Sequence, residues 1–300
     1  MKVRTKYVLL FTLPALILYS LFVVYPLLDS LALSFYSWKG VGPKIFVGLK
    51  NFREMLFGNF SKEVFNAFFH NIYFFSLATV LELGLGFLIA FLLASKLKGA
   101  KLFRTVVYMP NMIPLVIVGF MWGLFLNPQI GLVNSFLKLV GLKALARPWL
   151  GDPSTALTSI ILVNVWRHLG FYVLVILAAI LNIPPDLIEA AYIDGASNWK
   201  IASRIIFPMV LPTFRTLLIL LFIGSFNVFD MVYAMTGVQA GPFRKTDVLG
   251  TVFYRTAFGG LGSAYVDMGL GAAVTVFIFA IVMPLSILYV FLVEGRERSW

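Results

Sequence analysis

A handful of ionisable and amide side chains stand inside stretches that are otherwise almost wholly apolar. They are Glu82, then Asn164, Arg167 and His168, then Arg215, and finally Asn227 and Asp230. Such groups are costly in hydrocarbon, so they face a protein interior or a wet pathway and there meet amides, hydroxyls or opposite charge. Asn164, Arg167, Tyr172, Asn227 and Asp230 are candidates to line a polar pathway, and Arg167 is a candidate ion partner for Asp230. The alternative for each is a structural bond between helices. Arg215, near one end of its run, is better placed to snorkel. Glu82, Arg167 and Asp230 are also what an intramembrane enzyme would use, and Glu82 alone is what an ion-coupled carrier or channel would use. Against the enzyme reading, cysteine is absent and the only histidines are His70 and His168, far apart in the chain. This leaves neither a thiol nucleophile nor a histidine-rich metal centre. The chain also lacks a Gly-x4-Gly-Lys-Ser/Thr phosphate loop, a Gly-x-Ser-x-Gly elbow and a His-Glu-x-x-His pair, so ATP hydrolysis by this chain is not expected. Phe75, Phe87, Phe91, Tyr172, Phe222 and Phe226 could stack on a ring of a solute; packing and lipid contact are the commoner uses of such residues.

The elements that must position these groups are set by composition. Of 300 residues, 60% are hydrophobic and 12% charged, with a mean hydropathy of +0.93. A soluble domain is nearer 45–50% and about 25%, so the chain reads as an all-α integral membrane protein. Six runs are long enough to cross the roughly 30 Å hydrocarbon core: 7–28, 72–95, 105–126, 157–181, 211–235 and 269–293. The first is longer than the hydrophobic stretch of a signal peptide and is expected to be a retained helix. The connecting segments are too short for a further large domain, so residues 1–300 are expected to form one membrane unit. The formal charge of +11 fits basic flanks of membrane spans rather than nucleic-acid binding. Segments 1–6, 96–104, 182–210 and 294–300 hold eleven Lys and Arg; segments 29–71, 127–156 and 236–268 hold eleven over about twice the length. The denser set, with Lys96, Lys98, Lys101 and Arg104 clustered, predicts both termini inside.

One inside segment, 182–210, does not read as a linker. Pro184 and Pro185 stop the preceding span. Asp186 with Glu189 resembles a capping box, and Leu187, Ala190, Ala191 and Asp194 keep helical spacing. Gly195 stands where a positive-φ residue would end the turn. Ser197 can then cap a second short helix, which Pro208 is expected to end. Small residues at 190, 191 and 195 permit close approach by another body; a helical hairpin resting on lipid headgroups fits equally well.

The same segment resembles the EAA signature of the inner-membrane permease subunits of binding-protein-dependent ABC importers. Glu189-Ala190-Ala191, Gly195, Ile205 and Pro208 carry it, with Phe207 where the family has Leu. Ile183-Pro184 and Ile193-Asp194-Gly195-Ala196-Ser197 are similar to the carbohydrate-uptake branch, the maltose and glycerol-phosphate types. Tyr25-Pro26, Ser34-Phe35, Gly48-Leu49-Lys50-Asn51-Phe52 and Pro110 with Pro114 before Trp122 extend the resemblance over most of the chain. After the fifth run it departs: the branch has Thr-Gly-Gly-Gly-Pro, and this chain reads Thr236-Gly237-Val238-Gln239-Ala240-Gly241-Pro242. The resemblance implies the six-helix, MetI-like fold of a type I importer and a translocation pathway for a sugar or oligosaccharide. It implies a coupling loop at 182–210, with Glu189, Ala190, Ala191, Asp194 and Gly195 meeting an ATPase. It implies as partners a second, similar permease, two ATPase subunits that bind ATP and Mg, and an extracytoplasmic binding protein. No cofactor or metal is expected in this chain, which would lie in the cytoplasmic (inner) membrane. Gly119 and Gly123, and Gly84 and Gly86, are further candidates for close helix contact.

Overall fold

The computed structural model describes residues 5–95, 99–260 and 266–297. Lys2, Arg4, Lys96 and Lys98, which weigh in the orientation argument, lie outside them. The described chain is mostly helical, and its strand content among the described residues is a two-residue ladder between β1 (Tyr36–Ser37) and β2 (Ile45–Phe46). In chain order the helices are α1 (Thr5–Tyr19), α2 (Tyr25–Leu33), α3 (Lys50–Phe57), α4 (Ser61–Ala94), α5 (Ala100–Tyr108), α6 (Leu115–Phe125), α7 (Leu132–Leu139), α8 (Ala156–Leu181), α9 (Pro185–Ile193), α10 (Asn198–Ile201), α11 (Phe207–Phe226), α12 (Phe229–Thr236), α13 (Leu249–Phe258) and α14 (Met268–Glu297).

Five helical stretches are long and apolar enough to cross a membrane: Leu10–Leu33, Ser61–Ala94, Ala156–Leu181, Asn198–Phe226 and Met268–Phe291. A sixth is formed by Ala100–Met112 and Leu115–Phe125, which meet at 96°. The expected count of six is met when this bent pair is one span. The expectation of a single helix over 105–126 is corrected. Pro114 forces Ile113 into extended backbone, φ −76° and ψ 130°, because the ring of a proline excludes the preceding residue from the helical region.

The fifth run is corrected at both ends. Pro208 does not end a helix; the chain continues helically from Asn198 to Phe226. Residues Ala202–Ile206 widen into a π turn just before it. A proline within a helix removes one N–H and collides with the carbonyl four residues back, and the wider turn relieves both. The first span repeats the device, with a π turn at Ser20–Val24 ahead of Pro26. At the far end, the run expected to reach 235 breaks at Asn227 and Val228, and α12 is a separate helix. Gly224, Ser225 and Asn227 are poor helix formers, and the Asn227 amide bonds back to the Ile223 carbonyl at 3.0 Å.

The chain divides into two compact units. In the unit comprising 1–65 and 252–280, Asn51 of the Gly48–Phe52 signature is a buried clamp. Its amide donates to the carbonyls of Ser34 at 2.9 Å and Tyr36 at 2.8 Å. Asp267 caps α14 through the N–H groups of Gly269 and Leu270, and Arg255 pairs with Glu63 at 3.3 Å. In the unit comprising 66–251 and 281–300, the core runs along α8, whose Ile160, Ile161, Val173 and Ile176 have no exposed surface. Two glycines bring helices against each other. A Cβ on Gly170 would lie 2.3 Å from the Val107 carbonyl, and one on Gly119 would lie 2.5 Å from the Ala234 Cβ. Gly123 and Gly84 meet nothing within 4 Å, so each expected glycine pair supplies one contact, through Gly119 and through Gly86 against Tyr172 and Ile176.

Reporter fusions test the topology. A tag in the 96–104 segment and one after Arg296 should both read cytoplasmic, and one beside Asp152 should read outside. If the 96–104 and Asp152 reporters fall on the same side, the bent pair is a re-entrant loop and the chain has five spans.

Candidate functional site

Two features of the 66–251 segment concentrate the residues singled out from sequence. The first is the corner between α9 and α10. Gly195 has φ +74°. The Gly195 N–H bonds the Tyr192 carbonyl at 3.0 Å and the Ala196 N–H bonds the Ala191 carbonyl at 2.9 Å. These paired bonds define a Schellman ending and satisfy carbonyls that a helix terminus leaves open. The Ser197 hydroxyl then accepts from the Lys200 N–H at 3.4 Å to start α10. The expected capping box at Asp186 is not formed. Pro184 occupies the cap position with no side-chain bond, and Asp186 in the first turn is left to favourable interaction with the helix dipole.

The corner has two faces. Ala191 is buried, and Ile188 and Ala196 pack with it on the apolar core. Glu189, Ala190, Asp194 and Gly195 are exposed. Beside them Tyr192, Ile193 and Trp199 are also exposed, Ile193 at 86% and Trp199 at 73%. Sequence reasoning missed these three as surface groups, although Ile193 and Trp199 flank the glycine on the face opposite Ala191. The result is an acidic and apolar knob on a fixed backbone.

The second feature is a cavity of about 240 Å³ among α4, α6, α8, α11 and α12. Its lining includes Glu82, Asn164, His168, Tyr172, Ser225, Asn227 and Asp230, with Phe74 and Leu115. Leu115 and Asp230 also line a neighbouring recess of about 580 Å³ with Phe120 and Tyr233. Both helix breaks open here: α6 begins at Leu115, and the α11–α12 break supplies Ser225 to Asp230. Asn71, fully buried, anchors the second break. Its amide donates to the Ser225 carbonyl at 2.6 Å, and its oxygen accepts the Leu249 N–H at 2.9 Å.

Of the five residues expected along a pathway, four meet at this cavity: Asn164, Tyr172, Asn227 and Asp230. Arg167 does not line it. Its Nε reaches the Ile113 carbonyl at 3.4 Å, in the break of the bent pair, and its Nη1 lies 2.7 Å from His168 Nε2. Among the described residues no ion pair joins Arg167 to Asp230, so that expectation is corrected. Glu82, weighed only as an outside candidate, is 1% exposed and faces the cavity. His168, singled out from sequence, and Ser225 also line it; Ser225 was not legible because the break beside it was not. Phe75, Phe222 and Phe226 pack on one another, as do Phe87 and Phe91.

Comparison with known proteins bears on both features. Residues 82–298 match the family model described as binding-protein-dependent transport system inner membrane component. The chain is 33% identical to the probable ABC transporter permease protein YurN of Bacillus subtilis, over 96% of this chain and 97% of that one. It is 32% identical to the trehalose/maltose transport system permease protein MalF of Thermococcus litoralis, over 96% and 93%. Among solved structures, a bacterial ABC transporter involved in import of the acidic polysaccharide alginate superposes with a TM-score of 0.80 at 24% identity, covering 97% of this chain and 96% of that one.

Asn71→Leu removes both partners of the second break and leaves a buried carbonyl and a buried N–H unsatisfied, each at about 1–3 kcal/mol. The purified protein should unfold at a clearly lower temperature in detergent than the wild type. An unchanged midpoint would mean that Asn71 does not hold the break.

Proposed function

The chain belongs to the family of binding-protein-dependent transport system inner membrane components, and on that premise we propose that it forms the translocation pathway for a sugar or oligosaccharide. It is a multi-pass membrane permease subunit of an ABC transporter, and it is not itself an enzyme: ATP hydrolysis belongs to a separate subunit. The sugar reading is supported by the relative named for trehalose/maltose transport and by a cavity lined with amide, carboxyl, hydroxyl and aromatic groups. In this reading both termini are cytoplasmic, residues 1–300 act as one permease domain, and the partner ATPases bind ATP and Mg. A second, similar permease completes the pathway, and an extracytoplasmic binding protein delivers the solute.

The observation that carries the mechanism is the glycine corner. We read residues 182–210 as the coupling loop, with Glu189, Ala190, Asp194 and Gly195 at the ATPase contact and Ala191, expected there from sequence, buried beneath them. Ala191 turns inward and supports the backbone, while Glu189 and Asp194 present charge and Ile193 and Trp199 present apolar surface. An apolar knob with fixed backbone and acidic groups at Glu189 and Asp194 suits a protein groove; the exposed basic groups beside it are Lys200 and Arg204. When the ATPases close on nucleotide they would displace this knob. Rigid-body motion of the attached helices would then open the cavity to one side or the other.

Glu189→Lys should reduce copurification of the ATPase, by turning attraction into repulsion at the contact. Gly195→Asp places a side chain at φ +74°, a conformation costing a non-glycine residue roughly 1–2 kcal/mol, and adds bulk and charge to the knob. That variant should insert and fold, but lose substrate-stimulated ATP hydrolysis in liposomes. Wild-type copurification and stimulation in both variants would refute the coupling role and return the loop to the lipid surface.

A further inference from the structure

One surface of the 66–251 segment belongs neither to the cavity nor to the glycine corner. It lies on the stretch that joins α6, which ends at Phe125, to α8, which begins at Ala156. Two crossing segments meet the membrane surface at its ends. The eight residues of α7 are too few to cross, so this helix lies at that surface. Asn134 of α7 is buried and clasps the stretch together. Its amide donates to the Arg147 carbonyl at 3.0 Å and to the Pro128 carbonyl at 3.4 Å, and its oxygen accepts the Trp149 Nε1–H at 2.8 Å. Val133 packs beside it on the apolar core. With that face turned inward, Leu132, Phe136 and Leu139, spaced i, i+4 and i+7, share the opposite face. All three are exposed, Leu139 at 84%, and Ile130 and Val140 extend the stripe.

An exposed apolar stripe of this kind marks a contact with protein or with membrane. The charges beside it favour membrane. Residues 127–151 contain Lys138, Lys143 and Arg147 and not one aspartate or glutamate. Lys138 is exposed on the flank of the stripe, and the Arg147 guanidinium stands 5.8 Å from the centre of the Trp149 ring. Basic stems that follow apolar surface and end in phosphate, with an indole at the same level, suit a headgroup layer. A soluble partner that delivers solute and departs would leave the stripe in water each time, whereas lipid is always present. We propose that α7 is a surface anchor lying in the plane of the bilayer. Leu132, Phe136 and Leu139 sit at the boundary between headgroups and acyl chains, and Lys138, Lys143 and Arg147 at the lipid phosphates. The joint to α6 is tight. Asn127 Oδ1 accepts the N–H groups of Gln129 and Ile130, and a Cβ on Gly131 would lie 2.3 Å from the Asn127 carbonyl oxygen. The anchor therefore sets the depth of α6, whose other end carries Leu115 into the cavity wall. Neither the solute nor the ATPase contact enters into this role.

The chain has no cysteine, so a nitroxide can be attached at one introduced cysteine at a time. The complete transporter, with its partner subunits made cysteine-free, is placed in nanodiscs of phosphatidylcholine and phosphatidylglycerol. Power-saturation EPR compares collisions of the label with oxygen, which concentrates in lipid, and with nickel–EDDA, which stays in water. Labels at Leu132→Cys, Phe136→Cys and Leu139→Cys, all exposed positions, should meet oxygen severalfold more often than the nickel complex. Lys138→Cys, on the flank, should give a lower ratio, so that the ratio follows the helical period. Nickel collisions prevailing along the stripe would show it bathed in water, and few collisions with either agent would show it covered by protein. Either result overturns the anchor. Lys138→Glu with Lys143→Glu reverses the charge at the phosphates and should lower the oxygen-to-nickel ratio at Leu139→Cys severalfold. An unchanged ratio there would overturn the phosphate contact. Three label positions are used so that one variant failing to assemble still leaves two to decide the result.

Discussion

Inside a bilayer every backbone N–H and C=O has to find a partner within the protein. An unbroken helix meets this requirement by itself, and α8 does so over 26 residues. Helices α4 and α14 are unbroken as well, whereas three crossing segments depart from it, at Pro114, at Asn227–Val228, and at the π turns before Pro26 and Pro208. Each departure needs a substitute bond. Arg167 supplies one to the Ile113 carbonyl, Asn71 supplies one to the Ser225 carbonyl, and Asn227 bonds back to Ile223. Two of the polar side chains that stand out in the apolar runs, Arg167 and Asn227, are thus used by the breaks.

That accounting reassigns Arg167. A guanidinium in an apolar run suggested a pathway charge, yet its donors are spent on a broken helix and on the histidine beside it. It acts as a positioning group: it fixes the His168 tautomer and steadies the start of α6, which carries Leu115 into the cavity wall. The same helix meets α12 where Gly119 lies against Ala234. The wall containing Asp230 and the wall containing Leu115 are thereby packed on each other at a contact too close for a larger residue at 119. The breaks open the space, and the glycine contact limits how its walls can shift.

The apolar runs made the number of crossings legible, because length and hydropathy act on each segment alone. The corner at Gly195 was legible for the same reason: Gly195, Ser197 and the small residues set a local backbone that tertiary packing did not override. What sequence reasoning misplaced was the fate of prolines. Pro114 broke a helix that was expected to continue, and Pro208 sat within one that was expected to stop. The difference is whether the chain can widen by one residue ahead of the ring, as Ala202–Ile206 does. Before Pro114 the chain instead tightens into a 3₁₀ turn at Met109–Met112, and Ile113 goes extended. Because the second break at Asn227 was also unseen, Ser225 read as an ordinary residue of a span and Glu82 as a lone charge, when both border the cavity that the break opens.

The placement of the corner relative to the core bears on how a push on it would travel. Ile183, Ala191, Ile201 and Ile206, which flank or belong to the segment 182–210, lie in the same buried apolar cluster as Tyr172, Ile176, Leu217 and Leu221. No glycine-rich or polar linker separates α9 from α8: only Asn182, Ile183 and Pro184 intervene, and Pro184 has little conformational freedom. On the far side, α10 runs through the π turn into α11 without a break. A displacement of the exposed face therefore has no soft joint in which to dissipate before reaching α8 and α11. Those two helices carry Asn164, Tyr172, Ser225 and the approach to Asp230. A close-packed interior resists gradual deformation, so the compliant places are the breaks themselves, at Ile113–Pro114 and Asn227–Val228. On the proposed reading, the same irregularities that open the cavity are where it would change shape.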